Sequence, residues 1–289
     1  MYTGYYQRRF KAKGHFEGLQ WEKQTDSSFP AKKERSERKM ELRTAASPRD
    51  VKHYTTERLR EEFLIQNLFV PGEIKLVYSH IDRIITGAAV PVEPLTLTAG
   101  EELRAEYFCQ RRELGVINIG GPGRILVDGK TWQLGHKDGM YLGMGARDIV
   151  FESQDCENPA KFYFNSTPAH QSHPTVLIRP EGEAGEGVVL IKDENKVELG
   201  DLENSNHRTI CKYILPGQVE SCQLVMGMTH LEPGSVWNTM PAHTHERRME
   251  VYMYFEVPQD QVVFHMMGEG TETRHIVMQN EQAVISPSW

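Results

Sequence analysis

From Phe69 onward the apolar positions fall into short runs, rich in β-branched and aromatic residues and separated by Gly, Pro, Asn and Asp. Lys75-Leu76-Val77-Tyr78, Arg83-Ile84-Ile85, Val116-Ile117-Asn118-Ile119, Arg124-Ile125-Leu126-Val127, Asp148-Ile149-Val150-Phe151 and Lys161-Phe162-Tyr163-Phe164 are examples. Runs of this length and punctuation predict strands. Val127-Asp128-Gly129-Lys130 predicts a tight hairpin turn between two of them. The pattern resumes at residues 188–191, 211–215 and 223–228. So many short strands with regular turns predict an all-β protein with a few short helices, built as a β-barrel or double-sheet jelly roll. Residues 47–68 are the exception: Ser47-Pro48 predicts a helix start, and Leu59, Phe63 and Leu64 follow at helical spacing.

The pattern also divides the chain. Residues 1–39 hold neither period, and are expected to be a basic, disordered extension, with Met40 the true start and a basic arm for an acidic partner the alternative. Residues 40–180 are expected to form one barrel and residues 181–289 a second, with the Gly- and Glu-rich stretch 179–187 as the hinge. An internal repeat supports two units. Gln110-Arg111-Arg112-Glu113-Leu114-Gly115-Val116 matches Glu246-Arg247-Arg248-Met249-Glu250-Val251-Tyr252, and residues 138–143 resemble 281–287. In the second copy the chain stops near the point where the first still has two strands to come. The second barrel is therefore expected to be truncated.

Composition narrows the class. With 39% hydrophobic and 25% charged residues in 289, the chain has the make-up of a soluble globular protein. No apolar run approaches the roughly 18–20 residues of a membrane span, and Arg8, Arg9, Lys11 and Lys13 interrupt any signal-peptide core. Cys109, Cys156, Cys211 and Cys222 are scattered, as expected of reduced thiols in the cytoplasm. Residues 1–39 carry ten Lys/Arg against five Asp/Glu, so the net charge of −7 leaves about −12 on the body. Such a body repels nucleic acid.

Chemistry concentrates in one stretch. Pro241-Ala242-His243-Thr244-His245 is followed by Glu246-Arg247-Arg248-Met249-Glu250 and then the apolar run Val251-Tyr252-Met253-Tyr254-Phe255. In extended backbone, residues i and i+2 share a face, so His243 and His245 can aim at one point. Glu250, arriving past a bend, can add a third side. Two neutral imidazoles and a carboxylate suit zinc, manganese, iron, nickel or cobalt. Solvated histidines beside a surface cluster of Glu and Arg are the plain alternative. Superposing the two Arg pairs puts Tyr107, Cys109 and Leu114 where His243, His245 and Glu250 stand, so only the second unit is equipped for metal.

The Pro-x-His-x-His-x4-Glu motif between Gly-bounded strands resembles the first metal motif of the cupin superfamily. The segments 77–85, 111–121, 237–250 and 273–278 together resemble the 5-keto-4-deoxyuronate isomerase (4-deoxy-L-threo-5-hexosulose-uronate ketol-isomerase) family over roughly residues 40–289. The resemblance implies a bicupin of two jelly-roll barrels, a homo-hexamer, and one zinc per subunit. It implies an aldose–ketose isomerisation, from 4-deoxy-L-threo-5-hexosulose uronate to 3-deoxy-D-glycero-2,5-hexodiulosonate, in pectin and uronate breakdown. It also places the zinc ligands on His243, His245 and Glu250, with a fourth, a histidine, beyond the Ser-Pro-Ser-Trp that ends this chain.

An enediol route needs a proton carrier. Tyr252 and His265 are the catalytic candidates; Tyr252 and Tyr254 share the strand parity of Glu250. Arg247, Arg248 and Tyr254 are candidates for binding substrate, the arginines through a bidentate fork on its carboxylate. His275 is a weaker candidate beside Arg274. The same residues also suit core packing. An iron-dependent cupin dioxygenase, a non-catalytic sugar-binding cupin and an inactive truncated isomerase are the rival functions.

Overall fold

The computed structural model describes residues 40–239 and 241–289; the expectations for residues 1–39 lie outside them. A short strand, β1 (Glu41–Arg43), precedes two helices rather than one, α1 (Pro48–Val51) and α2 (Thr56–Phe63). Each has its own cap: Ser47 Oγ accepts from the Arg49 amide and Thr55 Oγ1 from the Arg58 amide. An N-cap takes extended backbone, and Thr55 sits at φ −71°, ψ 164°, so a single helix cannot run through it. Leu59 and Phe63 face the core from α2.

The remaining chain is mostly strand, as its periodicity predicts. In order come β2 (Leu64–Ile65), β3 (Ile74–Ser79), β4 (Ile85–Ala89), β5 (Leu95–Thr96), β6 (Arg112–Asn118) and β7 (Gly123–Val127). Next are β8 (Lys130–Leu134), β9 (Gly139–Leu142), β10 (Ile149–Ser153), β11 (Phe162–Pro168), β12 (Val176–Arg179) and β13 (Val188–Leu190). The last seven are β14 (Lys196–Leu199), β15 (Arg208–Ile214), β16 (Met226–Leu231), β17 (Glu250–Tyr254), β18 (Val263–Met267), β19 (Arg274–Met278) and β20 (Gln282–Ser286). The predicted turn at Asp128-Gly129 joins β7 to β8 with φ of 49° and 82°, the doubly positive conformation such a hairpin requires.

An eight-stranded sheet, β1-β3-β4-β11-β6-β9-β12-β13, and a four-stranded one, β5-β10-β7-β8, share one apolar core. Phe108, Phe151, Phe162 and Phe164 fill it, with Trp132 and Leu134 from the smaller sheet. The strand pair β12–β13 is parallel, so the division expected at 180/181 falls between two neighbouring strands. The chain then forms β14-β15-β16, β17-β20-β2 and the hairpin β18-β19. The described residues fall within a single compact unit.

The large sheet is buried on its second face as well, which is why all seven residues of β6 are buried. Gly115 and Gly139 make this possible. A Cβ on Gly115 would lie 2.7 Å from both Ile214 and Leu224, and one on Gly139 2.6 Å from Tyr213. Side chains of the second half therefore seat directly on first-half backbone.

The sequence repeat is a structural repeat. β6 pairs with β9 and β7 with β8; β17 pairs with β20 and β18 with β19 in the same order. Leu114 lies opposite Leu142, and Glu250 opposite Ser286.

Between the halves, Glu113 acts as an anchor. Fully buried, its carboxylate accepts from the hydroxyls of Tyr141 (2.8 Å) and Thr167 (3.0 Å). It also accepts from the backbone amides of Cys222, Gln223 and Leu224, at 2.7, 2.6 and 2.7 Å. Removing one buried acceptor leaves five donors unpaired. Glu113→Ala is expected to lower unfolding free energy by about 3–5 kcal/mol in a denaturant titration. A loss under about 1 kcal/mol would contradict the anchoring role.

Candidate metal and substrate site

β17 positions the site. Its antiparallel register with β20 puts Glu250, Tyr252 and Tyr254 on one face, since alternate residues share a side. The strand begins where the Met249 amide donates to Asp82 Oδ2 at 2.8 Å, and Asp82 itself sits in left-handed backbone at φ 51°. Asp82 lies inside the segment 77–85, but nothing in the local pattern announces its hold on residue 249.

His243 and His245 lie in a loop before β17 rather than in a strand; the chain turns at Glu246 and Arg247 to reach Glu250. Their rings stand edge to face with centroids 4.8 Å apart. His245 Nε2 is 3.3 Å from Glu250 Oε1. Arg248 reaches both groups, its Nη1 2.9 Å from Glu250 Oε1 and its Nη2 3.5 Å from His245 Nε2. Tyr252 donates its hydroxyl to the other oxygen, Glu250 Oε2, at 2.7 Å. The structure thus brings His243, His245, Arg248, Glu250 and Tyr252 together. Arg247 is exposed on the turn.

The donor set fits a divalent metal in kind. His243 Nδ1 is 2.9 Å from the Pro241 carbonyl oxygen, a pure acceptor, so Nδ1 carries the proton and Nε2 keeps its lone pair. Fixing one ring nitrogen on a backbone carbonyl is the usual way a ligating imidazole is oriented. Glu250 is likewise fixed on Oε2 by Tyr252, while Oε1 faces His245 and pairs with Arg248. Among the described residues, no three of His, Cys, Asp and Glu already converge as a closed ligand cluster. His245 and Glu250 meet; His243 stands one ring away.

Behind Glu250 lies an aromatic layer. The Tyr252 and Tyr254 rings stack at 6.3 Å and 15°, and His265 on β18 lies 5.1 Å from Tyr252. Tyr254 Oη is 3.0 Å from His265 Nδ1, a pairing that sequence parity alone does not reveal. Burial pushes the Tyr252 hydroxyl up to about 12, with the Glu250 carboxylate adding to the effect, and burial also raises Tyr254. His275 sits on the exposed face of β19 beside Phe264, whereas His265 lies opposite the buried Ile276. The two histidines are on opposite sides of the hairpin.

The equivalent positions in the first unit are inert. Leu114 is buried among apolar side chains, and burial drives the Cys109 thiol up to about 12, far from a reactive thiolate.

Strands of this kind, with two imidazoles and a carboxylate at the start of β17, place the chain in a cupin-like β class. The fold matches that of an IolB-like protein from Salmonella typhimurium LT2, with TM-score 0.54 and 15% identity over 78% of this chain and 84% of that one. The chain belongs to the KduI/IolB family, whose model matches residues 63–289. A relative from Lachnoclostridium phytofermentans is 71% identical over 251 residues, covering 86% of this chain and 87% of the relative. Relatives from Formosa agariphila (56%, covering 87% of this chain and 86% of the relative) and Escherichia coli O139:H28 (52%, covering 86% and 87%) share its name, 4-deoxy-L-threo-5-hexosulose-uronate ketol-isomerase.

Burial lowers His265 from 6.5 to about 4, against a smaller opposing pull from Glu250. Unfolded, the ring takes up a proton near pH 6.5; folded, it does so only near pH 4. Stability from this group is therefore complete above about pH 6.5 and is lost as pH falls toward 4. Nitrogen-15 NMR at pH 5.5 is expected to show His265 as a neutral imidazole. Imidazolium shifts at that pH would contradict this.

Proposed function

We infer that this chain is a ketol-isomerase that converts 4-deoxy-L-threo-5-hexosulose uronate to 3-deoxy-D-glycero-2,5-hexodiulosonate, with zinc held by His243, His245 and Glu250. The observation that carries the reading is 71% identity to an isomerase across 87% of that relative, joined to a donor set of the right kind at the start of β17.

The reaction exchanges an aldehyde and a neighbouring alcohol within one molecule. A proton leaves one carbon, an enediol forms, and a proton is added at the adjacent carbon, so no outside oxidant is needed. Bound zinc would supply Lewis-acid stabilisation of the two oxygens. The protein's part is to hold and orient. The Pro241 carbonyl fixes the tautomer of His243, and Tyr252 holds one oxygen of Glu250. Arg248 keeps positive charge beside Glu250, and exposed Arg247 offers a planar fork to the substrate's carboxylate. The stacked Tyr252 and Tyr254 present an apolar wall to the sugar chain.

On the same reading the chain works as a homo-hexamer in the cytoplasm, on uronates released from pectin, each subunit a pair of cupin barrels. Four free cysteines suit a reducing compartment. No helix among the described residues is long and apolar enough to cross a membrane.

The test is isomerisation of the keto-uronate by purified protein, with zinc counted per chain. His243→Ala and His245→Ala are expected to abolish bound zinc and lower kcat/KM by more than about 100-fold, exceeding the loss seen for groups that only support ligands. Full zinc content in both variants would sink the proposed site. Iron with substrate-dependent oxygen uptake would favour a dioxygenase instead.

A further inference from the structure

His265 is the most deeply buried polar group of the second unit's aromatic layer, 6% exposed, and among the described residues its buried Nε2 has no hydrogen-bond partner. The ring's other nitrogen faces Tyr254 Oη at 3.0 Å. Two tautomers are conceivable. If Nδ1 donated to the tyrosine oxygen, both the hydroxyl hydrogen of Tyr254 and the lone pair of Nε2 would be unmatched. If Tyr254 donates to Nδ1, only the Nε2–H is unmatched. The second arrangement strands fewer groups, and burial, which keeps Tyr254 protonated and His265 neutral, agrees with it.

What remains is a buried N–H donor with no acceptor, held by a tyrosine, in a ring 5.1 Å from the Tyr252 that grips Glu250. Buried donors are nearly always paired, and an unpaired one calls for an explanation, a catalytic role among them. The strand in front of it, β17, is half-exposed along its whole length. We propose that His265 is a catalytic residue of the isomerisation, its Nε2–H donating to the substrate oxygen on which negative charge grows as the enediol forms. This rests on the isomerase reading given above. No bond to the imidazole is made or broken. The ring stays neutral throughout, as a donor to a developing oxyanion should when protonation would strand a charge in an apolar pocket. Tyr254 is the positioning residue: its hydroxyl selects the tautomer that leaves hydrogen on Nε2.

The experiment compares wild type with His265→Leu, His265→Gln and Tyr254→Phe, reading kcat, KM, zinc per chain and melting temperature. The leucine variant is expected to lose about 100–1,000-fold in kcat, the range for one oxyanion donor. Its KM should stay within about threefold and its zinc content unchanged, with little change in melting temperature, because the unmatched Nε2–H is gone while the Tyr254 hydroxyl loses its acceptor. Glutamine, which keeps an N–H, should recover at least about tenfold over leucine. Tyr254→Phe should lower kcat about tenfold with zinc intact, since it releases the tautomer without removing the donor. A leucine variant within threefold of wild-type kcat, a glutamine variant no better than leucine, or activity lost in proportion to melting or zinc, overturns the proposal. Failure of the isomerase reading would show in the wild type and sink both; failure of this proposal alone shows only in the variants.

Discussion

The site depends on one strand ladder. β17 pairs with β20 so that Glu250 faces Ser286 and Tyr254 faces Gln282, and that register alone decides which side chains share a face. A slip of one residue would turn Glu250, Tyr252 and Tyr254 outward and bring Val251 and Met253 in. Two contacts outside the ladder oppose such a slip. Asp82 holds the amide of Met249 just before the strand, and β2 pairs with the far side of β20, Leu64 opposite Val284. Both come from the first third of the chain, so the chemistry of the last fifty residues is aligned by elements laid down at the start.

The repeated strand pairing goes with a division of labour. The same four-strand module is used twice, but in the first copy its interior is closed by Phe108, Phe151, Phe162 and Phe164. A filled barrel cannot admit a sugar acid. What the first copy supplies is a platform: its Gly115 and Gly139 admit Ile214, Leu224 and Tyr213 at close range, and its Glu113 gathers the amides of residues 222–224. In the second copy β17 packs against a buried apolar cluster that includes Ile276, Met278, Val284 and Ile285. The same strand also carries a carboxylate and two phenols, with an imidazole nearby on β18.

Much of this was legible in the sequence. Period-two runs bounded by Gly and Pro marked the strands, Asp128-Gly129 marked the hairpin, and the paired Arg motifs marked the duplication. His243, His245 and Glu250 stood out because ligand chemistry demands few residue types at short spacing. Other features were not legible. A helix expected over residues 47–68 is two, because a second cap at Thr55 competes with continuation. Asp82 and Glu113 act across long sequence separations, and the Tyr254–His265 pair joins two different strands, none of which a local period encodes. The histidine pair proved to lie in a loop, where tautomer and aim come from the Pro241 carbonyl and Glu250 rather than from strand alternation.

The central claim is that the residues opening β17 form the metal centre of an isomerase. Anomalous diffraction from crystals of the purified protein, collected on either side of the zinc absorption edge, tests it most directly. The account predicts one peak per chain, about 2.0–2.2 Å from His243 Nε2, His245 Nε2 and a Glu250 oxygen. No peak there, or a peak elsewhere in the chain, would contradict it.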